Sequence, residues 1–177
     1  MTTDEILYRS ATLAPAAGRV VHGLIVPYNV VAEVRDGFSA YREKFAPGAF
    51  RRSITERGNK LRLFTAHDTR RLPVGKPVEL HEDHDGVRAS FEIANTRDGD
   101  DVLESVNGGY TSNFSVGFRP IRHRTENGVI VRTEASLREV SLVGLPVYDG
   151  AVVAGVRAEG PVIGRRIAEA RLLLLEL

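Results

Sequence analysis

A chain of 177 residues, 42% of them hydrophobic, has room for one domain with a real core and not for two. Its formal charge of +1, with no basic block, lacks the electrostatic footprint of a nucleic-acid binder, and the absence of cysteine excludes disulfides, thiolate zinc sites and cysteine nucleophiles together. The start MTTDEILYRS has no basic segment followed by an apolar one, and no run of about 18 apolar residues occurs, so neither a signal peptide nor a membrane span is expected and a soluble intracellular protein is.

In chain order, GRVVHGLIVPY (18–28) is rich in β-branched residues and ends in a turn at Pro27 and Asn29, which reads as a strand. APGAFRRSITERGN places Pro47 at a first helical turn, Phe50 and Ile54 four apart, and Gly58 as a stop, predicting a short amphipathic helix. LRLFTAH (61–67) and VGKPVELH (74–81) read as strands, with DHDG (83–86) turning into the strand VRASFEIA. A second helix is expected from Asp98 as N-cap through Val102, Leu103 and Val106 to Gly108 and Gly109. TSNFSVGFRPI (111–121) and VIVRTEA flank a hairpin signal, ENG at 126–128, and SLREVSLVGLP supplies one more strand. The result is a mainly β, α+β domain of about seven strands with two helices between them. GRRIAEARLLLLEL at the end is helix-prone and carries four leucines, Leu172 to Leu175.

Ser115 draws attention within this pattern. Strand alternation puts it with Thr111, Asn113, Gly117 and Arg119 on a polar, solvated face, opposite Tyr110, Ser112, Phe114, Val116 and Phe118. Gly117 removes a side chain beside the hydroxyl and would let a substrate approach. A serine on a solvated strand face needs no function, and spacing alone does not decide against that reading.

A serine nucleophile needs a positioned base, usually histidine, and a third group that fixes the histidine tautomer. Of five histidines, His67 is the best candidate, because it ends an apolar strand in a polar exit of Asp68, Thr69 and two arginines. His22 falls inside a core strand and His123 in an exposed basic arm. His81 and His84, in HEDHDG, raise a metal-dependent hydrolase as one reading, but a charged hairpin turn fits better because no third histidine sits at ligand spacing. Glu139 interrupts the apolar strand SLREVSLVGLP and shares a face with Leu137, Ser141 and Val143. A carboxylate among apolar neighbours needs a partner, which is either a histidine or an arginine such as Arg119 or Arg132.

The strings HGLIVPYN, EKFAPGAFRRSI, LFTAHD, SNFSVGF and LREVSLVGLPVYDGA, in that order, resemble the prohead (procapsid maturation) proteases of tailed bacteriophages, a family similar in fold to the herpesvirus capsid protease, assemblin. The resemblance spans roughly residues 18–157. It implies a β-barrel-like core flanked by helices, preceded by an arm (1–17) and followed by a helical tail (158–177) that docks or is self-removed. The family's catalytic histidine, serine and glutamate fall on His67, Ser115 and Glu139, the residues selected above. Ala66 stands where the family often has asparagine, and Val116 where it often has an aromatic residue. The resemblance further implies a serine endopeptidase without metal or other cofactor. Its implied substrates are the scaffolding segment of the major capsid protein and the protease itself, inside the immature capsid in the host bacterial cytoplasm; analogy with assemblin adds self-association as a homo-oligomer, with the oligomeric state left open, and the charge and hydropathy above give no nucleic-acid or membrane partner. A catalytically inactive capsid-assembly scaffolding protein of the same fold is the alternative.

Overall fold

The computed structural model describes residues 7–12, 14–15, 18–36 and 39–144. Ten strands and two α-helices follow one another as β1 (Leu7–Thr12), β2 (Ala14–Pro15), β3 (Val20–Pro27), β4 (Ala32–Asp36), β5 (Ser39–Phe45), α1 (Arg51–Arg57), β6 (Leu63–Thr65), β7 (Gly75–Glu82), β8 (Gly86–Ile93), α2 (Arg97–Asn107), β9 (Asn113–Glu126) and β10 (Val129–Val143). They form one mixed sheet in the order β1-β9-β10-β6-β7-β8-β3-β2, with β5 also on β10 and β4 on β5. The sheet curls until β1 packs against β3, yet the hydrogen-bonded path among the described residues does not close.

The long β9–β10 hairpin is the spine. Its turn, Asn127-Gly128, has both residues at positive φ (50° and 73°), the conformation that matches the twist of the flanking strands. The other edge of β10 is satisfied in three stretches. Val129–Arg132 pairs in parallel with β5, and Val140–Leu142 pairs in parallel with β6. Between them, the Ala135 N–H donates to the Ala49 carbonyl and the Leu137 N–H to the buried Ser53 hydroxyl of α1. A short helix and the turn before it thus fill a gap that no described strand occupies, and the N–H groups at these two positions both have an acceptor.

α1 docks through Phe50, whose ring lies 5.1 Å from Phe45 and 6.2 Å from Phe118, with Phe45 and Phe118 5.0 Å apart in an edge-on pair. All three are fully buried with Ile25, Leu63, Phe91 and Phe114. Pro47 lies in the turn before the helix and not in its first helical turn. Gly58 is right-handed (φ −52°) and leads into a 3-10 turn at Gly58–Lys60. The N-cap of α2 is Thr96, whose side chain accepts from the Gly99 N–H; Asp98, expected as the cap, stands in the first turn instead.

The sequence pattern identifies six of the ten strands. β4 and β5, read as AEVRD and SAYREKF, carry charges through an edge hairpin and show no apolar run. β1 and β2 fall in the segment read as an arm. The strands expected at VIVRTEA and SLREVSLVGLP are one continuous β10, which absorbs irregular pairing between Arg132 and Glu134, Glu134 and Ala135, and Leu137 and Glu139. The helix-prone segment carrying Leu172 to Leu175 lies outside the described residues.

Arg132 and Glu43 form a buried ion pair at 2.9 Å, with side chains 8% and 0% exposed. Taking one partner from such a pair strands the other charge in the interior. Glu43→Ala is expected to cost about 3–5 kcal/mol in urea unfolding, while a double replacement of Glu43 and Arg132 by leucine and methionine should recover most of that loss.

Candidate active site

Three segments converge on one face of the spine. β9 brings Ser115, β10 brings Glu139 and Ser141, and the turn after β6 brings His67. In the β9–β10 register Ser115 stands opposite Ser141 and Gly117 opposite Glu139, so no β9 side chain lies directly across from the carboxylate. Because β6 runs parallel to β10, with Phe64 beside Ser141 and Thr65 beside Leu142, its exit delivers His67 over the same place.

That exit is a tight turn, not a continuation of the strand expected over 61–67. Ala66 and His67 both adopt left-handed backbone conformations (φ 51° and 59°), which cost an L-residue roughly 1–2 kcal/mol each. The turn is held by the Ala66 N–H on the Leu142 carbonyl (2.9 Å), the His67 N–H on the Ser141 hydroxyl (3.1 Å) and the Asp68 N–H on the Thr65 carbonyl (3.1 Å). Asparagine is among the side chains that enter this region most readily.

The side chains then meet in line. His67 Nε2 lies 2.8 Å from Ser115 Oγ and His67 Nδ1 2.6 Å from Glu139 Oε1. An ionised carboxylate only accepts, so Nδ1 carries the ring proton and Nε2 turns its lone pair to the Ser115 O–H. The Ser141 hydroxyl donates to the second carboxylate oxygen, Oε2, at 2.7 Å. Glu139 is 4% exposed, and its charge is held by these two donors. Asp68, next in sequence to His67, bonds the Arg70 guanidinium through its carboxylate at 3.0 Å, which holds its pKa below the usual carboxylate range.

Two expectations change. Residues 113–118 are all buried, and Ser115 has no exposed surface, so its strand face is not solvated. The polar side chains signalled a buried polar cluster, which alternation alone does not distinguish from a wet face. The arginine partner considered for Glu139 is also displaced in part, since Arg132 is taken by Glu43. Ser141 is the residue that the sequence reading passed over; its signal was a hydroxyl two positions after Glu139 on one strand face.

The remaining histidines stay apart. His22 lies on β3 opposite Ser90, and His123 on the exposed arm of β9 opposite Arg132. His81 pairs with Glu79 at 3.3 Å and His84 with Asp85 at 3.1 Å. Ligand atoms of Asp83, His84 and Asp85 approach within 4.8 Å of one another. However, Asp83 Oδ1 accepts from the Asp85 and Gly86 N–H groups and Oδ2 from Arg88, the bonding of a charged hairpin turn. No described helix is long and apolar enough to cross a membrane.

The family model for the Caudovirus prohead serine protease matches residues 8–162. The chain belongs to this family. The prohead protease of Enterobacteria phage HK97 is 28% identical over 116 residues, covering 63% of this chain and 52% of that relative, so the match spans about half the relative's length. The fold is similar to that of the capsid assembly protease of bacteriophage T4, with a TM-score of 0.58 and 10% identity over 78% of this chain and 97% of the other.

The left-handed turn yields a stability test. Ala66→Asn is expected to raise unfolding free energy by a few tenths to about 1 kcal/mol, whereas the β-branched Ala66→Val should lower it by about 1–2 kcal/mol, both read from urea midpoints.

Proposed function

We propose that this chain is a serine endopeptidase in which Ser115 is the nucleophile, His67 the general base and acid, and Glu139 the group that orients and charges-balances the imidazole. One observation carries the reading: an unbroken line of contacts from Ser115 Oγ through both ring nitrogens of His67 to Glu139 Oε1, at 2.8 and 2.6 Å. These are the separations at which proton transfer within a triad proceeds.

In the reaction Ser115 Oγ bonds to a peptide carbonyl carbon as its proton passes to His67 Nε2. Glu139, held ionised beside Nδ1–H, stabilises the imidazolium. The Nε2 proton then goes to the leaving amine as the peptide C–N bond breaks, leaving an ester on Ser115. Water attacks that ester and gives a proton to Nε2; the acyl C–Oγ bond then breaks as Nε2 returns this proton to Ser115 Oγ, which restores the hydroxyl, and the new carboxylic acid leaves and ionises. A carbonyl carbon must come within about 3–3.5 Å of Oγ. Since Ser115 is fully covered while the His67 side chain keeps 22% exposure, substrate engagement must part the groups above the serine.

Family membership supports a substrate within the phage capsid precursor, the scaffolding segment of the major capsid protein, inside the immature shell in the host cytoplasm. Cleavage of its own chain, removal or docking of residues 158–177, and self-association extend the same reading. The inactive scaffolding alternative is disfavoured by the cost of the site. A carboxylate buried at 4% exposure beside a histidine in a left-handed turn is expensive to keep without a use.

Treatment of the purified protein with a fluorophosphonate is expected to place one adduct on the peptide containing Ser115, and none in Ser115→Ala or after His67→Ala. Against purified capsid protein, Ser115→Ala should lose at least about 10⁴-fold in kcat and Glu139→Gln about 10³–10⁴-fold. Full cleavage by Ser115→Ala would overturn the assignment.

A further inference from the structure

We propose that Ser141 is a positioning residue that sets the mutual geometry of His67 and Glu139, an inference that rests on the triad reading above. The Ser141 hydroxyl is fully buried and touches both partners. It accepts the His67 backbone N–H at 3.1 Å and donates its proton to Glu139 Oε2 at 2.7 Å.

The direction of each bond is forced. A backbone N–H can only donate and an ionised carboxylate can only accept, so one hydroxyl, with a lone pair and a proton, is the smallest group that joins them. The contacts close a ring: His67 N–H to Ser141 Oγ, Ser141 to Glu139 Oε2, across the carboxylate to Oε1, and back to His67 through Nδ1. The backbone of the base and the carboxylate that orients its ring are therefore fixed to one atom. With Oε2 occupied, rotation of the carboxylate about its own axis is opposed, and Oε1 stays on Nδ1.

Position matters as well. Ser141 lies on β10 directly opposite Ser115 on β9, where facing Cβ atoms are about 4.5–5.5 Å apart. The hydroxyl is thus anchored to the strand pair that carries the nucleophile and not to a loop. Removing it would leave a partly buried N–H without this acceptor in a residue already at φ 59°, and a buried carboxylate oxygen without its donor. The base would then hold its place less well against Ser115, while groups that bind the peptide chain are untouched. Outer partners that orient metal ligands typically govern about 10–100-fold in affinity or activity, and an effect of that order is expected for a hydroxyl that orients a base.

The test uses the full chain as wild type, Ser141→Ala, Ser141→Thr and Ser115→Ala, with purified capsid protein as substrate. Active sites are counted by fluorophosphonate labelling and intact mass, so that turnover is expressed per competent site. Ser141→Ala is expected to lower kcat per site about 10- to 100-fold with KM within about twofold. It should also broaden or abolish the downfield proton resonance of His67 Nδ1–H, and Ser141→Thr, which keeps the hydroxyl, should recover most of the turnover. If Ser141→Ala does not fold, Ser141→Cys, which keeps a weak donor of similar size, takes its place with the same expectations. Unchanged turnover per site with the downfield proton intact would overturn the proposal even if thermal stability fell, because that is the outcome of a purely structural hydroxyl. Retained turnover in Ser115→Ala would instead remove the triad reading itself.

Discussion

A carboxylate buried in the face of a sheet is the constraint on which the rest of this structure turns. Glu139 keeps 4% of its surface, and an ionised group in that position is tolerated only where hydrogen-bond donors replace water. The donors come from two places. Ser141 is supplied by the same strand two residues on, and His67 by a turn brought alongside through the parallel pairing of β6 with β10. Once His67 is drawn to Glu139 through Nδ1, its other nitrogen can only face across the strand pair, where the register has placed Ser115. The serine, histidine and carboxylate are thus consequences of a single compensation problem solved on one strand face.

The fold serves that solution in two ways. The β9–β10 hairpin pairs along nearly the full length of both strands, so the register that sets Ser115 against Ser141 is pinned at the Asn127-Gly128 turn and again by the parallel strands and helix along the far edge of β10. A slip of one residue would turn Phe114, Val116 and Phe118 out of the core. That core, with Phe45 and Phe50 packed on Phe118, supplies the energy that lets Ala66 and His67 occupy left-handed conformations. Strain of this kind persists where surrounding structure over-determines it; here three backbone N–H bonds fix the turn.

The sequence made the site more legible than the sheet. Glu139 stood out as a charge in an apolar strand, His67 as the polar exit of one, and Ser115 as a hydroxyl beside Gly117; the structure brings the three within hydrogen-bond distance, since a buried carboxylate needs a partner. The mixed sheet was harder, since β4 and β5 form a charged hairpin with no periodic apolar signal, and the bulged β10 reads as two shorter strands. Alternation also misread the Ser115 face as solvated. A face carrying Asn, Ser and Gly has the same pattern whether it meets water or a buried polar cluster, and only the tertiary partners distinguish the two. The turn at Ala66 and His67 was invisible for a related reason: neither residue advertises a positive φ, and it is the pull of Ser141 and Leu142 that imposes one.

The central claim is that this arrangement cuts the capsid precursor through Ser115. Co-expression of the full chain with its cognate major capsid protein, read by intact mass of the assembled shells, tests it most directly. The account predicts a capsid protein shortened at one site by the wild type and left whole by Ser115→Ala, with shells assembled in both. Shells whose capsid protein stays whole with the wild type as well would contradict it and return the chain to a role in assembly alone.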